Sequence, residues 1–124
     1  MKAAEPQWVQ RIVVDAIHLD QIREHGGLPG LRDEGLLESA LARPRHKWTY
    51  KRRPDLASLA AAYGYGIVKN HPYRDGNKRV AFLTMVVFLG LNAFDLMADE
   101  ADVVTVMLTA AAGQCSEAEL AKWI

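Results

Sequence analysis

Segments 56–70 and 77–91 are both apolar at helical spacing, and only the six residues 71–76 separate them. In the first segment the apolar residues recur at the spacing of one helix face: Leu56, Leu59, Ala60, Tyr63 and Ile67. The second segment is apolar nearly all round, which indicates a central, buried helix. Pro72 disfavours helical dihedral angles at the residue before it, so the first helix is expected to end near Asn70. The two segments therefore predict a pair of helices joined by a short loop.

Two more helices are expected before this pair. Apolar residues over 9–24 recur largely at helical spacing, and the pattern stops at the glycine pair 26–27. Asp33 is placed to cap a helix over 34–42, which Pro44 is expected to end. Other helices such as these are expected to surround the buried helix.

Two further helices are expected after the pair. Residues 99–112 begin with three acidic residues, which suit a helix N-terminus, and Ser116 with Glu119 forms the pattern of a capping box that opens a last short helix. The fold class is therefore all-α, with about six helices around a central buried helix. A chain of 124 residues, half of them apolar, suits one domain over residues 1–124.

Residues 44–54, PRHKWTYKRRP, lie between two prolines and contain the only β-favouring cluster, so they predict a loop or short hairpin that could act as a mobile flap. The region is basic, and its cations either form a solvated surface or bind a partner: Arg43, Arg45, Lys47, Lys51, Arg52 and Arg53.

Composition limits the classes of function. Fifteen basic residues balance fifteen acidic ones, so no global field would hold DNA or RNA, and direct nucleic-acid binding is not expected. Cys115 stands alone, which leaves no intramolecular disulfide and no cysteine zinc site and suits a reducing cytosol. The N-terminal residues lack the apolar core of a signal peptide, and the apolar run 80–91 is too short to span a bilayer. We therefore expect a cytoplasmic protein without membrane attachment.

The loop between the central helices begins the sequence HPYRDGNKR, residues 71–79. Gly76, Asn77 and Lys78 would present free backbone amides at a helix N-terminus, where the helix dipole also favours an anion. Lys78 and Arg79 add two positive charges, and arginine can hold phosphate oxygens in bidentate fashion. The segment predicts a phosphate-binding site.

His71 and Asp75 add groups that a reaction would need. An imidazole can accept a proton from an attacking hydroxyl, and Asp75 is a hard oxygen ligand of the kind that Mg²⁺ uses beside substrate phosphates. Together with the phosphate site, these two side chains predict group transfer from a nucleoside triphosphate to a hydroxyl.

Two other interpretations of this segment stay open. A solvated helix face or a simple capping loop would involve no chemistry, although a cap needs only one Asp or Asn and a glycine. A metal pair of His71 and Asp75 is the second, with a further ligand from one of the other histidines, none of which lies at a metal-ligand spacing such as HExxH: His18, His25 and His46.

The segment HPYRDGNKR resembles the signature of the Fic/Doc family, H-P-F-x-D/E-G-N-G/K-R, with Tyr73 in place of the usual Phe. Residues 25–44, HGGLPGLRDEGLLESALARP, resemble the N-terminal block of the death-on-curing (Doc) branch. Most Fic proteins carry Gly at the eighth position and transfer AMP, whereas the Doc branch carries Lys, as at Lys78, and resembles a kinase in activity. The resemblance implies the all-helical Fic fold, with a flap before the motif-bearing helix pair.

The roles of the site residues follow from this resemblance. His71 is implied as the general base toward the target hydroxyl, and Asp75 as the residue that holds Mg²⁺ or orients the acceptor. The remaining residues are implied to bind the triphosphate of ATP, the glycine through its backbone: Gly76, Asn77, Lys78 and Arg79.

The resemblance also implies a biological role. The reaction would be phosphorylation of a Ser or Thr hydroxyl of a target protein, with translation elongation factor Tu as the family's target, and it would arrest translation. The flap, residues 43–54, would dock the target by strand addition. The inhibitory pattern S/T-x-x-x-E-G/N of many Fic enzymes does not occur in the sequence, so control is expected from a cognate antitoxin of a type II toxin-antitoxin pair. AMP transfer, a non-catalytic nucleotide-binding or partner-binding module, and an RNase remain as alternatives.

Overall fold

The computed structural model describes residues 4–52 and 54–124, which form six helices joined by short loops. The helices are α1 (Arg11–His25), α2 (Glu34–Tyr50), α3 (Leu56–Asn70), α4 (Asn77–Leu91), α5 (Glu100–Ala111) and α6 (Glu117–Trp123). The described residues contain no β-strand, only a single antiparallel bridge between Leu31 and Tyr73. The predicted all-α class with six helices is confirmed.

α3 lies at the centre of the fold, because it packs against α2, α4, α5 and α6. Its small residues let these neighbours approach closely. A Cβ on Gly64 would lie 2.4 Å from Sδ of Met85 on α4, and a Cβ on Gly66 would lie 3.3 Å from Cα of Ala40 on α2. The central position was predicted for α4, which is instead flanked by α3, α1 and α5. Both helices are apolar, so apolar content did not identify the central one, and the close contacts at Gly64 and Gly66 are what let α2 and α4 pack tightly on α3.

α2 continues through Pro44 to Tyr50, so the prediction that Pro44 ends the helix was wrong. A proline inside a helix removes one hydrogen bond and crowds the preceding turn, but the ring of Pro44 is fully buried in the core. Beyond it, Glu117 of α6 accepts hydrogen bonds from Arg43, at 2.7 Å, and from Lys47. Burial and these ion pairs hold the last turns of α2 in place.

The prediction of a loop or hairpin over 44–54 was therefore wrong for residues 44–50, which are helical. The connection between α2 and α3 is limited to residues 51–55, and Arg53 of the basic cluster lies outside the described residues. Since a helix uses its own backbone N–H and C=O groups, residues 44–50 offer no strand edge to a target segment.

The predicted helix caps are present. The side chain of Asp33 caps α2 and that of Asp55 caps α3, while Ser116 and Glu119 form a capping box at α6. These caps lie at the N-terminal ends of α2, α3 and α6, whereas the loop 71–76 between α3 and α4, which we call the motif loop, has no side-chain cap at the start of α4. In the part of the chain that the structure describes, no helix has both the length and the apolar character needed to cross a bilayer.

Candidate active site

A cavity of about 720 Å³ opens beside the motif loop and the first turns of α4. Its remaining wall comes from α5 and from the C-terminal end of α1. All six residues that the sequence nominated line this one cavity: His71, Asp75, Gly76, Asn77, Lys78 and Arg79. The structure thus brings the whole predicted set to one surface.

The N-terminal end of α4 presents unpaired backbone amides to the cavity wall. Gly76 is the N-cap, with φ 78° and ψ 11°. Because glycine has no side chain, it cannot accept a hydrogen bond from the first amides of the helix. The first hydrogen bond of the helix joins Val80 N–H to the Gly76 carbonyl, at 2.9 Å. The N–H groups of residues 76–79 therefore donate to no acceptor among the described residues, and the helix dipole adds to their attraction for an anion.

Two cations extend this amide cluster. Lys78 and Arg79 are exposed, line the cavity and form no ion pair with another described residue. Their charges are therefore available to a ligand. Asp75 and Glu100 also line the cavity, so its attraction for an anion is local to the start of α4, where the two cations lie beside the free amides.

Asn77 has a different place from its neighbours. It is buried, its Oδ1 accepts from Tyr73 N–H at 3.0 Å, and its Nδ2 donates to the Tyr73 carbonyl at 2.9 Å. The side chain thus ties the middle of the motif loop to the first turn of α4. What the structure shows for Asn77 is loop positioning, and the phosphate contact implied by the family resemblance stays a prediction.

Arg32 fixes the backbone of His71 at the C-terminal end of α3. Its Nε donates to the His71 carbonyl at 2.7 Å, and its Nη2 donates to the Asn70 carbonyl at 2.8 Å. His71 has φ 51°, a left-handed conformation that costs a non-glycine residue roughly 1–2 kcal/mol. The two hydrogen bonds from Arg32, which we call the clamp, offset this cost and set the direction in which the imidazole leaves the helix.

Residues 28–33 brace the outer side of the motif loop. The backbone N–H of Arg32 donates to the Pro72 carbonyl at 2.7 Å, and Arg74 N–H donates to the Gly30 carbonyl at 3.1 Å. These bonds hold the loop in place from a segment some forty residues earlier in the chain. They give a physical reason for the glycine-rich block to accompany the motif.

Asp75 is anchored through one carboxylate oxygen. Leu28 N–H donates to its Oδ2 at 3.0 Å, and a Cβ on Gly27, whose φ is 116°, would lie 3.2 Å from the same side chain. A single carboxylate fits Mg²⁺, which takes most of its ligands from water and substrate phosphates in nucleotide sites. Metal binding by Asp75 stays a prediction.

A metal centre built from protein ligands alone is a poorer fit. Among the residues that the structure describes, no three His, Cys, Asp or Glu side chains converge as a metal site. The other histidines considered as ligands do not join the motif residues in such a group: His18, His25 and His46.

An apolar wall of the cavity was missed by the sequence reasoning. It comes from the second turn of α4 and from one face of α5: Phe82, Leu83, Val103, Val104, Met107 and Leu108. Val104 and Leu108 remain about half exposed, at 53% and 50%. The signal in the sequence is that the apolar residues of α5 cover more than one face of the helix, so packing against the core cannot bury them all. Such a wall suits the flat apolar surface of a nucleobase.

Gln21 on α1 was also missed. It is only 8% exposed and lines the cavity, yet its side-chain amide has no hydrogen-bond partner among the described residues. The amide is not fully enclosed, so it can form a hydrogen bond with a ligand or with water in the cavity. The signal in the sequence is that Gln21 follows Val14 and His18 at helical spacing, so a polar residue occupies the buried stripe of α1.

Comparisons with known proteins agree with this geometry. The model of the Fic/DOC family matches residues 8–89, which contain α1 to α3, the motif loop and all but the last two residues of α4. The chain is 30% identical to the "Protein kinase doc" of Escherichia phage P1 over 106 residues, which cover 86% of this chain and 83% of that protein. It is 40% identical to the "Toxin Doc" of Mycolicibacterium smegmatis over 75 residues, 60% of this chain and 58% of that one.

Proposed function

Because this chain belongs to the Fic/DOC family, as its sequence predicted, we propose that it is the toxin of a type II toxin-antitoxin pair and acts as a protein kinase. It would transfer phosphate from ATP to a Ser or Thr hydroxyl of a target protein. The observation that carries the proposal is the open N-terminal end of α4, where four amides and two cations line one cavity with His71.

Each residue of the cavity has a part in the proposed reaction. The target hydroxyl oxygen attacks the γ-phosphorus of ATP, the bond from that phosphorus to the β,γ-bridging oxygen breaks, and ADP leaves. His71 accepts the proton of the hydroxyl. The amides of residues 76–79, with Lys78 and Arg79, stabilise the negative charge on the phosphate oxygens. Asp75 would hold Mg²⁺, which neutralises part of the triphosphate charge when bound.

Lys78 is the residue that favours phosphate transfer over AMP transfer. In the Doc branch a lysine at this position occupies space that a glycine leaves open in AMP-transferring relatives. The nucleotide is then proposed to bind in the reverse sense, with its γ-phosphate toward the acceptor. The relative from phage P1 is called a protein kinase, which supports this direction.

The target and the partner are further parts of the proposal. Elongation factor Tu is the target that the family resemblance suggests, and its modification would arrest translation. A cognate antitoxin would bind the toxin and control it, as the toxin name of the mycobacterial relative suggests.

A double-label experiment tests the chemistry. The protein is incubated with elongation factor Tu, Mg²⁺ and ATP labelled on either the α- or the γ-phosphate. We expect the target to retain only the γ-label. Retention of the α-label would replace the kinase proposal by AMP transfer, and retention of neither label would remove elongation factor Tu as the target.

Growth arrest on expression tests whether the activity is enzymatic. His71→Ala should abolish the arrest, whereas His46→Ala should not, because His46 is an exposed residue of α2 that does not line the cavity. An arrest that survives His71→Ala would indicate a binding module instead. Degraded cellular RNA during the arrest would indicate an RNase.

A further inference from the structure

His18 lies buried beneath the motif loop. It projects from α1, is 5% exposed, and its ring stacks on that of Tyr73 with centroids 3.9 Å apart and planes 11° apart. Its Nε2 lies 3.0 Å from the backbone carbonyl oxygen of Asp75. Since a carbonyl oxygen can only accept, the imidazole must donate its Nε2–H in this bond.

The Asp75 carbonyl, which accepts this bond, lies one residue before the N-cap of α4. If the helix began one residue earlier, the Asp75 carbonyl would accept a hydrogen bond from the N–H of Arg79, four residues on. Instead Gly76, with φ 78°, turns the chain, and the carbonyl accepts from His18. The Arg79 amide is consequently left without an acceptor among the described residues.

We propose that His18 is a positioning residue for the phosphate site, which keeps the Arg79 amide free to bind a phosphate oxygen by holding the Asp75 carbonyl away from α4. The inference rests on the proposed function, because it assigns the open end of α4 to phosphate. His18 acts through Asp75 and does not itself touch the ligand.

The surroundings of His18 hold its ring in the required place. Tyr73, on which the ring stacks, donates its hydroxyl to Asp15 Oδ1 at 2.7 Å, and Arg11 Nε donates to Asp15 Oδ2 at 3.2 Å. Burial and then the bond to Asp15 raise the pKa of Tyr73, so the hydroxyl stays protonated and continues to donate. The stack with Tyr73 thus holds the His18 ring in place, and the bond from the Tyr73 hydroxyl to Asp15 adds to the stability of the fold.

Three variants separate the hydrogen bond of His18 from its packing. His18→Phe keeps an aromatic ring against Tyr73 but has no donor, and His18→Gln offers an amide donor near the position of Nε2. Tyr73→Phe is the matched control, since it loses the bond to Asp15 while both the stack and the donor to Asp75 remain.

Binding of inorganic pyrophosphate, followed through the backbone amide resonances of residues 76–79, is the measurement. In the wild-type protein we expect these resonances to move on titration. His18→Phe should weaken binding about tenfold, His18→Gln should restore it to within about threefold, and Tyr73→Phe should lower the melting temperature without changing the affinity.

The outcomes distinguish the inference from the function on which it rests. If the wild-type protein does not bind pyrophosphate, the proposed phosphate site itself fails. If the wild-type protein binds and His18→Phe binds equally well, the role of His18 is refuted while the site stands.

Hydrogen exchange on the wild-type protein gives a test that needs no variant. The Arg79 amide should exchange without protection in the free protein and become protected by pyrophosphate. A protected Arg79 amide in the free protein would overturn the inference even if His18→Phe fails to fold.

Discussion

Replacing Arg32 by methionine should reduce the rate of phosphate transfer more than it reduces nucleotide binding. Arg32 donates to the carbonyls of His71 and Asn70 at 2.7 and 2.8 Å, and both bonds are lost in the variant. A hydrogen bond to a charged group contributes roughly 1.5–3 kcal/mol, and solvent screening at this exposed position reduces the two together to about 2 kcal/mol. That is comparable with the roughly 1–2 kcal/mol cost of the left-handed conformation of His71.

Without the clamp, His71 should therefore leave the observed conformation for much of the time. We expect kcat to fall about tenfold, since each ~1.4 kcal/mol corresponds to a factor of ten, while KM for ATP changes less than threefold because the amides of α4 are untouched. Urea unfolding should show a loss of about 2 kcal/mol.

Phosphate-transfer kinetics with γ-labelled ATP, together with urea titrations, provide the measurement. Arg32→Lys should be intermediate, because an ammonium group keeps the charge but cannot reproduce the forked geometry. Arg23→Met serves as the matched control, since Arg23 is an exposed cation outside the cavity. An unchanged kcat in a variant that has lost stability would refute the reasoning, because it would show that the clamp does not position His71.

Two other changes give expectations of the same kind. Gln21→Leu should raise KM for ATP severalfold with little loss of stability, because the apolar side chain removes only the amide that lines the cavity. Steady-state kinetics and thermal melting provide the measurement, and an unchanged KM would exclude a ligand contact by Gln21. Glu117→Gln should lower the free energy of unfolding by about 1–3 kcal/mol. It should also reduce the helical circular dichroism signal, because the last turns of α2 lose their ion pairs. An unchanged spectrum would show that Glu117 does not stabilise these turns. Burial makes the largest contribution to the pKa of Glu117 and raises it, but the hydrogen bonds from Lys47 and Arg43 together lower the pKa below its usual 4.5. The stability from these pairs should thus be complete above about pH 5 and be lost as the pH falls through the lowered folded-state pKa; a difference between wild type and Glu117→Gln that persists at lower pH would contradict this.

The helices and their ends could mostly be predicted because their signals are local. Asp55, Ser116 and the glycine pair at 26–27 mark helix ends through hydrogen bonds and dihedral preferences within a few residues. Pro44 shows where such reasoning fails. Its local tendency to end a helix is opposed by burial and by an ion pair to Glu117, more than seventy residues later, which no local pattern reveals.

For the candidate site, too, the sequence predicted the local features and could not predict the long-range contacts. The sequence brought six chemically distinct residues into one nine-residue segment, and the structure places all six on one cavity. It could not indicate that Asn77 turns inward to Tyr73, that Arg32 holds His71, or that Gln21 reaches the cavity from α1. These are contacts between segments far apart in the chain or between a side chain and a loop whose shape has first to be known.

By itself, the sequence determined that the chain is helical, where most helices begin and end, and which segment holds the candidate site residues. Those properties depend on caps, on the left-handed glycine at position 76, and on residue types that act over one or two turns. The tertiary structure alone decided that α3 is the central helix, that α2 passes through Pro44, and that the Asp75 carbonyl turns toward His18. In each case a long-range contact outweighs a local preference, because burial and paired charges contribute energies as large as the preferences that they oppose.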